Sequence, residues 1–462
     1  MSKKHTPFII FCLLYIIFSL FTYKHFGVTT DEQRDYTGGR LLKELLLQKH
    51  PKEYFNNFSG HENPYSAPYF RGHLALFSVL NPSGSYEIYH LLNLLFGLGI
   101  FVVLYAFLYK ITDNSLYSLV GPILLFFTPR FLGHIPSNPK DIPFAFFYLL
   151  GLYLIFCKSN PLKLGIVIGL AVATRVVGLS LLPIYLIFSE RKFKTIILVT
   201  FFTVFTMYIS LPYLWIDTFE HFKDLLIGAS SFGNWDNTML FMGHLYTRNY
   251  RPDIYLPVWF LITTPIHFIF LGLYPVKSRV WILGAVTLGL NFLAYFALKP
   301  IVYNGLRHFL YLIPVIVLLA SLGLIKIIRD QKKLVMACVL MSLFITVIRS
   351  FLLHPYQYLY FNEFVGGLRG VKGEFELDYW GATYSEGAKW LSANIEPGKV
   401  YTCTMDWAVE EYLGKGYTLV EKPELADYVI CDVDSASKRE LNFKSMYSVM
   451  RENVNILDIG KL

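Results

Sequence analysis

The sequence predicts an all-α polytopic membrane protein that carries a small α/β domain after its last span. Three observations predict it. Hydrophobic residues make up 54% of the 462 residues and charged residues only 16%, whereas a soluble domain is about a quarter charged. The apolar residues fall in long runs, not in the short alternating segments of a membrane β-barrel. The stretch 354–462 breaks the pattern, with 11 basic and 17 acidic residues and no apolar run of spanning length.

A helix needs about 20 apolar residues to cross a bilayer. Runs of that kind lie at about 7–25, 86–108, 115–132, 142–157, 162–176, 177–189, 195–214, 254–274, 280–298, 306–325 and 333–353, giving about eleven spans. The fifth and sixth are short and abut. The basic residues then set the orientation. With the N-terminus inside, the inner loops hold Lys3, Lys4, Lys110, Lys158, Lys163, Arg191, Lys192, Lys194, Lys277, Arg279, Lys326, Arg329, Lys332 and Lys333. The short outer loops hold only Lys140, Lys299 and Arg307. This asymmetry puts the N-terminus in the cytoplasm and the C-terminus outside. The net charge of +8 is thus mostly a topology signal, and no nucleic-acid footprint is read in it. The first segment lacks a small-residue cleavage site and reads as an uncleaved helix.

The predicted organisation is a transmembrane domain over 1–353, with outer loops at 26–85 and 215–253, and a small extracytoplasmic domain over 354–462. Within the first loop, Arg40 to His50 has apolar residues at helical spacing and reads as an amphipathic interfacial helix. In the tail, Lys399 to Met405 and Asp427 to Val433 read as strands, with a short helix after the first. A longer helix is expected at roughly Ser385 to Ile395. Cys403 and Cys431 could pair in an oxidising compartment, but free thiols are the expectation.

Charge in or beside an apolar span is costly, so it points to function. Asp31 and Glu32 follow the first span directly in TTDEQRDYTGGR. A carboxylate at the outer membrane surface can take a proton from a hydroxyl nucleophile, and partial desolvation would raise its pKa and strengthen it as a base. His134, Lys140 and Asp141 share the short outer turn HIPSNPKDIPFAF. Asp141 could equally cap the fourth helix. Arg307 and His308 open the tenth span, where an arginine suits a phosphate or simply snorkels. Arg175 lies near the junction of spans five and six. In the tail, Asp378, Tyr379 and Trp380 suit sugar stacking, but packing of the tail on the membrane domain is the favoured reading. No Cys or His spacing demands a metal, though two carboxylates and His134 could hold a divalent ion.

An acidic pair directly after the first span, a second acid before the fourth, and about eleven helices resemble the GT-C glycosyltransferases. DEQRDYTGGRLLKELL is similar to the first-loop motif of family 39, which contains the protein O-mannosyltransferases and the lipid A aminoarabinose transferase. PKDIPFAFFYLLGLYL resembles the second acidic motif of that family, and GLAVATRVVGLSLLPIYL its fifth and sixth spans. The resemblance implies an inverting transfer of a sugar from a polyprenyl-phosphate donor to a hydroxyl of a protein, lipid or glycan. It implies Asp31 as general base, Asp141 as its helper or the acceptor's anchor, and Arg307 with Lys140, Arg175 or His308 on the donor phosphate. The tail is not part of the basic family pattern. A transporter of a lipid-linked or small polar substrate is the alternative reading, and it predicts broken helices in repeated halves.

Overall fold

The computed structural model describes residues 3–47, 72–189, 192–215, 218–223, 238–247, 250–438 and 441–462. The chain is a multi-span membrane protein, and its apolar helices coincide with the apolar runs. Among the described residues, five helices are long and apolar enough to cross a bilayer, a bent pair passes that test jointly, and five further apolar helices are shorter. The helix starts are set locally. Asn114 accepts from the Leu116 and Tyr117 amides, Asn160 from Leu162, and Ser278 from Trp281, each at the first turn of a helix.

Helix α1 spans Thr6–Thr22, and α2 spans Glu32–Leu46. The helix expected from Arg40 onwards therefore begins two turns earlier, and residues 48–50 lie outside the described part. It is packed, not merely interfacial. Glu32, Asp35, Tyr36 and Leu42 are buried, and Gly39 lies so close to α3, Gly72–Leu80, that a Cβ there would sit 2.5 Å from the Leu74 carbonyl oxygen.

Next come α4 (Tyr86–Thr112), α5 (Ser115–Phe126), α6 (Pro129–His134) and α7 (Asp141–Phe156). The two short abutting spans are α8, Pro161–Thr174, and α9, Leu181–Phe188. Between them Arg175 is extended and a 3-10 turn follows at Val176–Ser180. The chain continues through α10 (Phe193–Ser210) and a two-stranded antiparallel ribbon, β1 (Thr238–Phe241) and β2 (His244–Thr247). Helices α11 (Tyr255–Thr263) and α12 (Ile266–Leu273) meet at 106°. The Asn362 side-chain amide donates to the Leu261 and Thr264 carbonyls at that break, at 2.6 and 2.8 Å, so backbone acceptors freed by the bend are satisfied by protein. The last membrane helices are α13 (Arg279–Leu298), α14 (Ile313–Arg329, preceded by a 3-10 turn at Arg307–Leu312) and α15 (Lys333–Leu352).

The tail is α/β, as expected. Helix α16 spans Tyr384–Asn394, close to the predicted bounds, and α17 spans Asp406–Glu410. The five-stranded sheet has the order β4-β3-β5-β7-β6, with β3 at Lys399–Thr402, β4 at Thr418–Val420, β5 at Tyr428–Asp432, β6 at Lys444–Arg451 and β7 at Val454–Lys461. Strand β3 runs parallel to both neighbours, and β5, β7 and β6 pair antiparallel. The free-thiol expectation is overturned. Thr402 pairs with Ile430, so Cys403 stands beside Cys431, their Cα atoms are 5.1 Å apart, and they form a disulfide.

The tail is not an appendage. One buried apolar core runs from Phe101 and Tyr148 of the membrane helices to Trp380, Tyr384 and Leu457 of the tail. Two glycines mark the joint. A Cβ on Gly133 would lie 2.4 Å from the Tyr358 backbone nitrogen, and one on Gly27 would lie 2.2 Å from the Ala382 carbonyl oxygen. The β6–β7 turn, whose Glu452 and Asn453 both have positive φ, reaches back to the membrane domain. There the Arg349 Nε and Nη2 donate to the two Glu452 carboxylate oxygens at 2.7 and 2.8 Å.

Candidate active site

The first element of the site is the entry to α2. The Thr29 amide donates to Glu32 Oε2 at 2.7 Å, closing a turn just ahead of α2. The other Glu32 oxygen lies 2.8 Å from His90 Nε2 on α4, and neither side chain reaches solvent. The Thr29 hydroxyl donates to the Ser137 carbonyl at 2.9 Å, and the Thr30 amide donates to the Trp380 carbonyl at 3.0 Å. The first loop is thus tied to the second outer turn and to the tail. Asp31 stands at the N-cap position, but its carboxylate makes no capping bond and is left for other partners.

Those partners are the cations named from the sequence. Lys140 Nζ is 2.8 Å and Arg307 Nη1 3.0 Å from the same Asp31 oxygen, Oδ2. Lys140 Nζ also lies 3.9 Å from Asp35 Oδ2, one helical turn on. Asp141 is the first residue of α7 and Lys140 holds the N-cap position, so Asp141 sits in the first turn and not at the cap. Its carboxylate pairs with Arg175 Nε and accepts from Asn138 Nδ2 at 2.9 Å. Arg175 can reach it because α8 ends one residue earlier and its backbone is extended. Arg175 acts electrostatically on Asp31 as well as on Asp141. His308 feels Arg175, Arg307, Asp141 and Lys140 and packs edge-on against Tyr303 at 4.7 Å. Asp31, Asp141, Lys140, Arg175, Arg307 and His308 therefore form one charge cluster.

Electrostatics reverse one expectation. Burial alone pushes the Asp31 carboxyl up, but Arg307 and Lys140, helped by Arg175, outweigh burial and hold it well below the ordinary carboxylate range. Asp31 is ionised here, and the raised pKa expected from desolvation is not found. The two arginines keep donors in reserve. Arg307 Nε and Arg175 Nη2 are buried with no hydrogen-bond partner among the described residues.

His134 belongs to a different face of the site. Burial, with Arg130 beside it, holds its pKa down to about 3, so it is neutral. Trp380 Nε1 lies 3.1 Å from its Nδ1. An indole N–H can only donate, so Nδ1 accepts and the His134 proton is on Nε2, 3.2 Å from the Tyr379 hydroxyl. Both ring nitrogens are engaged by the tail residues Tyr379 and Trp380. Among the described residues no group of three or more His, Cys, Asp or Glu side chains gathers as metal ligands would. Trp380 is 2% exposed and packs as the favoured reading held. Its ring and that of Tyr303 each lie 4.8 Å from the Arg307 guanidinium.

Several members of this site were not singled out from the sequence. Arg130 is buried, donates to the Tyr360 carbonyl and the Tyr379 hydroxyl, and stacks 4.9 Å from Phe361. Its signal was a charge inside the apolar run 115–132. His90 and Asn138 had no comparable signal.

Comparison with known proteins fits this geometry. Residues 72–298 match the model of glycosyltransferase family 87. The chain is similar in structure to ArnT from Cupriavidus metallidurans in its apo state, at TM-score 0.52 and 13% identity, over 98% of each chain. The fold is that of the GT-C glycosyltransferases. A weaker likeness, at TM-score 0.40 and 11% identity, is to the arabinofuranosyltransferase AftD from Mycobacteria, covering all of this chain and 42% of that one. No curated protein matches. The acidic motifs resemble family 39, whereas the matching family model is 87. Both point to the GT-C glycosyltransferase fold, and in this chain the two acidic motifs converge with Lys140, Arg175 and Arg307.

Proposed function

We propose that this chain is an inverting membrane glycosyltransferase that moves a sugar from a polyprenyl-phosphate donor to an acceptor hydroxyl, with Asp31 as general base. The observation that carries this reading is the pairing of the Asp31 carboxylate with Arg307 and Lys140. The donor's lipid tail lies in the bilayer, so its phosphate sits at the depth of the helix ends, where Arg307 opens an apolar helix. Asp31 accepts the acceptor's proton as the acceptor oxygen bonds to the anomeric carbon. The bond from that carbon to the phosphate oxygen breaks, and the polyprenyl phosphate leaves with the electron pair, stabilised by Arg307 and Lys140.

Lys140 and Arg307 both pair with Asp31 and make it a weak base. A bound phosphate competes for them, so Asp31 gains basicity once the donor is seated. Asp141, anchored by Arg175 and Asn138, orients the acceptor. Glu32, buried against Thr29 and His90, is a positioning residue, not a second base. The acceptor is a protein, lipid or glycan hydroxyl. The site faces the outer side of a bacterial inner membrane, with the N-terminus in the cytoplasm. The Lys/Arg asymmetry of the loops and the Cys403–Cys431 bond, which suits an oxidising compartment, support that orientation.

The test uses full-length protein in vesicles that carry a polyprenyl-phosphate sugar. Addition of acceptor should release free polyprenyl phosphate, and Arg307→Gln should lower kcat/KM for the donor by about tenfold or more. Movement of sugar across the vesicle with no lipid-linked donor would favour a transporter instead.

A further inference from the structure

We propose that Tyr379, contributed by the tail, donates a hydrogen bond to a phosphate oxygen of the lipid donor, with Arg130 and His134 fixing the direction of its proton. The inference rests on the glycosyltransferase reading and names an additional ligand-binding residue for it.

The argument is a count of protons. The Tyr379 hydroxyl oxygen lies 3.2 Å from Arg130 Nη1 and 3.2 Å from His134 Nε2. A guanidinium has no acceptor. His134 Nε2 carries its proton, because Nδ1 already accepts from the Trp380 indole at 3.1 Å. Both neighbours therefore donate to Tyr379, and neither can receive its proton. Among the described residues the hydroxyl has no other hydrogen-bond partner. A phenol that accepts from two donors, one of them charged, becomes a stronger donor itself, and here its proton is directed away from both neighbours. Tyr379 is partly exposed, so a ligand can reach it.

Arg130 says what that ligand should carry. Its side chain is buried with a residue exposure of 2%. It donates to the Tyr360 carbonyl at 3.0 Å and stacks on Phe361 and Trp259, yet no carboxylate pairs with it among the described residues. A buried, uncompensated cation is costly and favours an anion nearby. Arg307 is close enough to act on the Tyr379 phenol as well, and the buried Arg307 Nε is unpartnered. An O–H donor beside one buried guanidinium and within the field of a second matches a phosphate oxygen better than a neutral sugar hydroxyl. Trp380, the next residue, stacks on Arg307 and accepts from Thr30 beside Asp31, so the tail holds Tyr379 one residue from a side chain that touches the charge cluster.

The experiment is binding of a polyprenyl monophosphate to full-length protein in detergent, wild type against Tyr379→Phe. Phenylalanine keeps the ring contacts to Tyr358 and Trp380 and removes only the hydroxyl. Affinity should fall about tenfold or more and KM for the lipid donor should rise in a variant that still folds, with a modest loss of thermal stability because Arg130 and His134 lose their acceptor. Arg130→Lys, which keeps a cation but loses the fork that holds the phenol, should weaken the same ligand. Wild-type binding of the lipid phosphate with undiminished binding by both variants overturns the role of Tyr379 and leaves the glycosyltransferase reading standing. Failure of the wild type to bind any polyprenyl phosphate overturns the donor assignment itself.

Discussion

Asp31 is a base held in reserve, and its pH behaviour should show it. Arg307 and Lys140 depress its folded-state pKa, so the pairing stabilises the fold above the ordinary carboxylate range and is lost as pH falls through the lowered value. The kcat/KM profile, which reports the free enzyme, should therefore show no acid limb from Asp31 between about pH 5 and 7. The kcat profile reports the loaded enzyme, where phosphate has drawn the cations away, and its acid limb should lie at higher pH. Coincident limbs would contradict competition between phosphate and Asp31. Glu32 gives a second residue-scale test. Glu32→Gln retains an acceptor for Thr29 and should stay folded with activity close to wild type. Glu32→Ala leaves buried partners unsatisfied and should cost about 1–3 kcal/mol of stability. A loss of activity with Gln as deep as that of an Asp31 variant would make Glu32 a catalytic group. The T-x-x-E pattern at Thr29 to Glu32 was legible as a helix start, but charge beside a span drew the reading towards catalysis.

At the level of elements, the site depends on the joint between α6, the first loop and the tail. Gly133 allows the backbone of α6 to meet the Tyr358 amide, because even a methyl group would sit 2.4 Å from that nitrogen. Gly133→Ala should cost about 1–3 kcal/mol through overpacking. It should also lower activity, since α6 carries both Arg130 and His134. Unchanged melting and turnover would mean the joint is looser than described. Span positions were readable because run length alone sets them, and the tail's strands were readable from β-branched and aromatic runs. The breaks were harder. Arg175 reads in sequence as a charge near a span end, and only the extended backbone between α8 and α9 shows how it turns to Asp141. The disulfide was missed because Cys403 and Cys431 meet through the parallel register of β3 and β5, a pairing that their separation of 28 residues does not encode.

For the whole molecule, the division at residue 353 understates how the chain is built. The tail shares the apolar core, grips Arg349 through Glu452, and supplies Trp380 and Tyr379 to the site. Sequence patterning separated the tail because its composition differs, yet long-range packing joined it to the membrane helices, and such packing leaves no periodic trace. The convergence of Asp31 and Asp141 on one cation cluster was foreseeable only from their shared place at helix ends. The central claim is that Asp31 takes the acceptor's proton, and Asp31→Asn in the full-length, membrane-inserted protein tests it most directly. Sugar transfer from a polyprenyl-phosphate donor should fall by about 100- to 10,000-fold, while the variant stays folded with some loss of thermal stability from the broken pairing with Arg307 and Lys140 and still binds the donor at least as tightly as wild type. Wild-type turnover in that variant would contradict the account.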